Sequence, residues 1–288
     1  MKDEESYGGG VFPPHAGEAS SLERTESPER IKSCEHGEQQ RPYIVRPNAD
    51  NPRDLQIAGL VPMSAVDWPS KLVATVFCQG CPWLCPYCHN HAIIDPRIPG
   101  VVDWERVEAL LKKRHDLLDG VVFSGGEATR QISLGAAMRR VHEMGFSVGL
   151  HTAGPYPSRL KDLLAAGLVD WVGMDIKAMP GSAYEQVAQR PQAGVKAWES
   201  LQVLLQYEDA VDYEVRVTVY PQGPRDVLEV ARAVRDMGVH TFALQQARST
   251  GAPSDFLATT DGWDERVIRW AQEIKHIGFR QFIFRPAV

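Results

Sequence analysis

The sequence predicts an α/β fold, a partial (β/α)6 barrel behind an acidic extension, and three observations carry that expectation. From Leu55 onward, short apolar runs alternate with amphipathic segments, and each run ends in Gly, Pro or a polar cluster. Chemically unusual residues recur just after the apolar runs, at the carboxyl ends where parallel α/β sheets place their ligand face. The chain has 288 residues, 43% of them hydrophobic, enough to bury one large core. Six βα units fit a closed or partial parallel barrel or an open doubly wound sheet; six successive strands feeding one face favour a curved sheet around a central site.

The chain divides into an extension, residues 1–50, and a folded body, residues 51–288. The extension is rich in Gly, Pro, Ser and Glu, and its apolar residues are too sparse to offset the entropy of ordering, so it is expected to be disordered. Cys34 and His36 in it read as an exposed thiol beside a chance histidine. Residues 1–40 hold nine acids against four bases, so they carry most of the formal charge of −6. The body is nearly neutral and lacks the basic field that nucleic-acid partners require. No apolar run has the length of a membrane span, and the first residues resemble no secretory signal, so a soluble cytoplasmic protein is expected.

Residues 72–77 give the first strand, and Asp103 is an N-cap for a helix reaching about Leu118, with Val107, Leu110, Leu111 and Leu117 at helical spacing. Strand two is 120–123 and its helix 133–144, stopped at Gly145. Strand three is 146–150, with a helix over 158–166. Strand four is 169–174, and Pro191 splits the following helix into pieces near 184–189 and 195–207. Strand five, 213–219, alternates cleanly, and Pro224 opens its helix. Strand six is 239–244, the last long helix is 263–277, and the run 281–284 is either a short extra strand or a docked tail.

The chemistry concentrates between Leu72 and His91, where Cys78, Cys81, Cys85 and Cys88 are separated by two, three and two residues. Thiols this close cannot staple distant parts of a fold, so metal or redox chemistry is the better reading. A zinc ribbon separates its CxxC pairs by a longer insert, and a thioredoxin-type dithiol needs only one pair. Iron–sulfur clusters do gather closely spaced cysteines from one loop. Cys81-x-x-x-Cys85-x-x-Cys88 supplies three thiolates, which leaves one iron of a four-iron cluster open to a ligand.

With that motif the chain resembles the radical S-adenosylmethionine superfamily, whose pattern is CxxxCxxC with an aromatic residue before the last cysteine, here Tyr87. The stretch VDWPSKLVATVFCQGCPWLCPYCHN, with FSGGEAT, GLHTAGPYP and GMDIKA after it, resembles activating proteins of anaerobic ribonucleoside-triphosphate reductase, a branch of the glycyl-radical-enzyme activases. The resemblance covers roughly residues 57–250 and implies specific roles. Cys81, Cys85 and Cys88 would ligate a [4Fe-4S] cluster whose fourth iron binds the amino and carboxylate groups of S-adenosylmethionine. Gly125, Gly126 and Glu127 match the segment that meets the methionine amino group. Arg216 would steady the methionine carboxylate, and Tyr87 would lie near the adenine. Some activases bind a monovalent cation between an acid and a threonine after strand three and an acid after strand four. Here His151 stands for the first acid, while Thr152 and Asp175 remain.

The implied reaction is reductive cleavage of S-adenosylmethionine to a 5′-deoxyadenosyl radical, which takes hydrogen from a glycine of the reductase's glycyl-radical subunit. The implied electron source is a low-potential carrier such as flavodoxin or ferredoxin. A radical enzyme for another glycyl-radical protein, a small molecule or RNA shares the machinery, and a non-catalytic zinc or cluster module is the alternative of another class. Plainer roles also compete residue by residue. Asp175 and Lys177 would form a strand-end salt bridge, Arg216 would pair with Glu214 or another acid, His89 and His91 would be loop scaffolding, and Cys78 a partly buried thiol. An activase must hold a whole protein, so its active face is expected to lack a folded cap.

Overall fold

The computed structural model describes residues 48–287, which belong to one compact unit; the expected disorder of residues 1–50, with Cys34 and His36, falls almost wholly outside them. Eight strands form one sheet in the order of the chain: β1 (Ile57–Ser64), β2 (Val73–Cys78), β3 (Gly120–Gly125), β4 (Ser147–Thr152), β5 (Trp171–Asp175), β6 (Asp212–Val219), β7 (Thr241–Gln246) and β8 (Gln281–Arg285). β1 runs antiparallel to β2, and every other neighbouring pair is parallel. The six expected strands are β2 to β7. The final run is a strand and not a docked tail, since residues 281–285 pair in register with 241–245. β1 was not expected: Gly59 and Pro62 break its alternation, and Pro62 is tolerated because the strand lies at the sheet edge.

Sequential parallel strands need right-handed crossovers, which put the helices on one face and bend the other inward. The crossings are α1 (Trp104–Lys113), α2 (Leu134–Glu143), α3 (Pro157–Ala165), the pair α4 (Ser182–Ala188) and α5 (Ala193–Leu205), α6 (Val227–Asp236) and α7 (Trp263–Lys275). Alternate strand residues, among them Val76, Phe123, Leu150, Met174, Val217 and Leu244, join the helices in one large buried core. α1 is shorter than expected. The chain turns after Lys113, which leaves Leu117 53% exposed and returns Leu118 to the core before β3. Asp103 holds the N-cap position in an extended conformation but makes no side-chain capping bond. The break between α4 and α5 is set by Pro191 between two left-handed residues, Gln189 and Gln192. No helix among the described residues is long and apolar enough to cross a membrane.

The other strand residues face inward, and residues 65–72, between β1 and β2, floor that space at the amino ends of the parallel strands. The Trp68 ring stacks on Trp171 at 5.5 Å and 19°, and the two join Val73 and Val122 in a small separate core. Gly149 must be glycine here, because a Cβ would come within 2.9 Å of both the Trp68 ring and Val122. Asp67 secures the same loop by accepting the Thr75 hydroxyl at 2.6 Å. Trp68→Ala is expected to cost about 3–4 kcal/mol with an unchanged denaturant slope, measured by urea unfolding.

Candidate active site

The segment that follows β2 crosses the mouth of the curved sheet and touches nearly every loop there. Gly80 and Cys81 donate their N–H groups to the carbonyls of Ile93 and Ile94 at 2.8 and 2.9 Å, closing the loop on itself. Between those ties, the Leu84 N–H bonds Ala188 O of α4 at 3.0 Å, and Trp83 packs edge-on against Tyr184. Tyr87 packs on Tyr220, after β6, with ring centres 4.9 Å apart. His89 Nε2 accepts the Arg248 N–H, after β7, at 3.2 Å, and Asn90 returns to Gly125 O at 3.0 Å. The cysteine loop itself thus lies over the barrel mouth, and His89 scaffolds it.

Within that loop the four thiols divide into three and one. Cys78 is fully buried in the helix-side core, more deeply than expected, whereas Cys81, Cys85 and Cys88 are partly exposed at the mouth. Burial pushes the Cys81 thiol up to about 12 and raises Cys85 and Cys88 as well, so taking up iron must release their protons. No three His, Cys, Asp or Glu side chains among the described residues are spaced to hold one metal ion. Cys81, Cys85 and Cys88, half-buried and apart from the fully buried Cys78, are the thiols available to a cluster that takes one thiolate at each of three irons.

The loop after β3 is joined to the cysteine loop through backbone. Gly126 N–H bonds Cys78 O, and Glu127 N–H bonds Gly80 O, both at 2.9 Å. A Cβ on Gly125 would strike the Cys78 backbone, and one on Gly126 would strike Gly80 O. These two glycines are thus required by loop-to-loop contact, whatever else they meet. The Glu127 carboxylate, 2% exposed, accepts four hydrogen bonds: from Thr129 N and Oγ1, from Thr152 Oγ1 at 2.8 Å and from Ala153 N at 3.0 Å. Burial holds its pKa above the ordinary carboxylate value although those donors pull it down. Thr152 in turn accepts the Gly154 N–H at 3.0 Å. Glu127 and Thr152 therefore bind the loops after β3 and β4 to each other.

On the inner face, register explains the partners. Asp175 lies opposite Arg216, whose Nε donates to it at 3.0 Å while Nη2 donates to Gly173 O at 3.1 Å. The acid that Arg216 pairs with is thus Asp175, Glu214 being taken by Arg285. Burial would raise the Asp175 pKa, but the Arg216 and Lys177 charges outweigh it and hold the group below the ordinary value. Asp175 and Lys177 form no salt bridge; Lys177 instead donates to the Tyr87 hydroxyl at 3.1 Å and lies over the Trp83 and Tyr87 rings. His151 Nε2 is 2.7 Å from the Asp67 carbonyl, an acceptor only, so Nε2 carries the proton and Nδ1 accepts from Ser124 at 3.2 Å. Arg216 Nη1, 3.3 Å from that N–H, faces a donor, and burial followed by this positive charge lowers the His151 pKa to about 4. His151, Asp175 and Arg216 converge on the inner face, whereas Thr152 alternates to the other side of β4 and bonds Glu127, so the four do not gather at one position.

Sequence reasoning missed a second paired group on this face. Glu214 takes both Arg285 guanidinium nitrogens at 2.7 and 2.9 Å, and Arg285 reaches Gln245, which donates to Thr218 at 3.0 Å. The signal was present in the alternation of residues 281–285, which places Arg285 opposite Gln245 once β8 is paired.

Two outcomes test these assignments. Glu127→Ala leaves four donors without their acceptor and should cost roughly 3–5 kcal/mol, with Glu127→Gln intermediate, by thermal and urea unfolding. His151 binds its proton less readily folded than unfolded, so its contribution is complete above pH ~6.5 and lost as pH falls toward about 4. The melting temperature of His151→Gln should accordingly fall less over that interval than that of the unsubstituted chain.

The sequence profile of the Radical SAM superfamily matches residues 75–246, from inside β2 to the end of β7. A Methanocaldococcus jannaschii protein assigned as a glycyl-radical enzyme activating enzyme is 30% identical over 195 residues, 66% of this chain and 79% of that protein. A radical SAM methyltransferase from Sphaerobacter thermophilus superposes with a TM-score of 0.55 at 15% identity, over 76% of this chain and 67% of that one. Streptococcus suis SuiB bound to S-adenosylmethionine gives 0.53 at 12% identity, over 73% of this chain and 48% of that one. These last two show a shared fold. By its profile match the chain belongs to the radical SAM superfamily, with a [4Fe-4S] cluster and S-adenosylmethionine as its cofactors.

Proposed function

We propose that this chain is a glycyl-radical-enzyme activase whose target is the anaerobic ribonucleoside-triphosphate reductase. The observation that carries the reading is the 30% identity, over 195 residues, to a protein assigned as such an activase. Cys81, Cys85 and Cys88 would hold the cluster, with Cys78 structural beneath them. Held there, the cluster would supply the one electron that divides S-adenosylmethionine into methionine and a 5′-deoxyadenosyl radical, which would become 5′-deoxyadenosine on taking one hydrogen atom from glycine. A small, low-potential carrier such as flavodoxin or ferredoxin supplies that electron.

The protein's own part is to hold and orient. Gly125 and Gly126 keep the loop after β3 against the cysteine loop, and Glu127 holds the backbone at Ala153. In this reading the Gly125–Glu127 segment receives the methionine amino group through backbone as well as charge. Arg216, steadied by Asp175, presents a cation for the methionine carboxylate, and Lys177 and Tyr87 bound the adenosine side. The near-neutral body and the absence of a basic field favour a protein target over RNA.

Anaerobic reconstitution of this protein with iron and sulfide, then mixing with the reductase of the same genome, S-adenosylmethionine and a reductant, should give a glycyl doublet by electron paramagnetic resonance. Changing the partner glycine to alanine should remove it. Ala at 81, 85 or 88 should abolish both cofactor cleavage and the doublet, while Cys78→Ala keeps substantial activity. Cofactor cleavage without a partner radical, across several glycyl-radical proteins, would leave a radical enzyme for another substrate; a colourless zinc-loaded protein would sink the enzyme reading.

A further inference from the structure

Among the described residues, three buried side-chain polar atoms have no hydrogen-bond partner: Ser133 Oγ, Tyr184 Oη and Trp263 Nε1. A buried donor without an acceptor is costly, and folded proteins keep few of them without a reason. Ser133 stands at the N-cap of α2, and Trp263 opens α7 with the Arg225 guanidinium over its ring. Tyr184 packs on the cysteine loop, its ring centre 5.8 Å from that of Trp83.

The fold fixes this ring in place. Tyr184 is fully buried in the first turn of α4, against Gly194 of α5, where a Cβ would come within 3.0 Å of Tyr184 Cβ and 3.1 Å of its Cγ. The same helix and the turn after it anchor the cysteine loop: the Leu84 N–H bonds Ala188 O at 3.0 Å, and Arg190 Nε donates to Pro82 O at 2.9 Å. Residues 82–84 are thus tied to α4, and Cys85 is the next residue of the chain.

The groups whose charge bears on the Tyr184 hydroxyl are Lys177, Tyr87, Cys85 and Asp175. Lys177 has donors only, and the Tyr87 oxygen already accepts one of them. Asp175 is engaged by Arg216. Cys85 remains. Its thiol is a weak acceptor, but the thiolate it becomes on binding iron is a much stronger one, so an O–H left idle in the iron-free chain gains a partner when iron is bound.

We propose that the Tyr184 hydroxyl donates a hydrogen bond to cluster sulfur at the Cys85 corner and thereby raises the reduction potential of the cluster. A donor at sulfur stabilises the reduced, more negative cluster over the oxidised one, and hydrogen bonds to the sulfurs are among the levers that set such potentials. The inference rests on Cys85 being a cluster ligand, as proposed above, and is independent of which protein is the target.

The experiment is an anaerobic redox titration of the full chain reconstituted with iron and sulfide, the reduced cluster being followed by electron paramagnetic resonance without S-adenosylmethionine. Tyr184→Phe should keep the iron content of the parent and shift the equilibrium about tenfold toward the oxidised cluster, which is about 59 mV for one electron. Replacing Tyr184 with 3-fluorotyrosine, of nearly the same shape but a stronger donor, should shift it the other way. Ser133→Ala removes the other orphaned hydroxyl and should leave the potential unchanged, which controls for packing. In the iron-free chain Tyr184→Phe deletes a hydroxyl that has no partner, so the urea midpoint should not fall. An iron-loaded Tyr184→Phe protein with the parent's potential overturns the inference, and so does an equal shift in Ser133→Ala. If the Phe variant takes up no iron, the fluorotyrosine protein decides: an unchanged or lowered potential overturns the inference. A parent chain that binds no iron removes the Cys85 assignment and this one with it, whereas a potential indifferent to residue 184 removes this one alone.

Discussion

Two backbone hydrogen bonds, Gly126 to Cys78 and Glu127 to Gly80, fix the loop after β3 against the start of the cysteine loop, and the site is assembled outward from that junction. Parallel pairing puts Cys78 opposite Gly125, so the two strands end together and their loops leave side by side. Close backbone approach demands residues without Cβ at 125 and 126, and it delivers Glu127 to a buried position. A buried carboxylate needs donors, and the loop after β4 supplies Thr152 Oγ1 and Ala153 N. One junction thus organises three loops through bonds whose geometry is set by strand register.

The inner face is governed by the same accounting of buried polar groups. Register brings Asp175 against Arg216 and Thr218 against Gln245 and Arg285, so groups that would be costly alone are paired across neighbouring strands. The floor closes this face from below: Trp68 stacks on Trp171, and the Asp67 carbonyl fixes the tautomer of His151. A neutral His151 donates toward the floor and leaves Arg216 as the cation of that corner. The fixed charges are consequently Arg216, Asp175 and Lys177, set before any cofactor arrives, which is the preorganisation that catalysis of charge-developing steps needs.

Much of this was legible in the sequence because it follows from periodicity and spacing. Six strands, the crossing helices and the clustering of polar residues at strand ends come from alternation, stop residues and the parallel-sheet rule. The run of four cysteines stands out by its spacing, and the resemblance picks Cys81, Cys85 and Cys88 from it. β1 was not legible, since Gly59 and Pro62 remove the alternation that marks a strand and edge pairing restores it only in three dimensions. Pairings across the inner face were not legible either: whether Arg216 meets Asp175 or Glu214 depends on the side-chain direction at a given rung, and no local pattern carries that. Lys177 shows the same limit, since it stands two positions from Asp175 while its hydroxyl partner, Tyr87, lies 90 positions away.

The distribution of these residues over the fold also separates buried, paired positions from exposed ones. The residues proposed to meet the cofactors lie on strand ends and the first turns after them, in positions held by register and buried hydrogen bonds. The cleft beside Cys85 is built from loop and helix-end residues, Gln186, Gln222 and Leu257 among them, whose side chains hold nothing else in place. Substitution there leaves the paired charges beneath undisturbed, whereas substitution at Glu127 or Arg216 leaves buried partners exposed to desolvation. A fold arranged this way can vary its exposed loops while the buried pairs at the strand ends stay fixed, because the cysteine motif and the loops beyond it are held by different contacts.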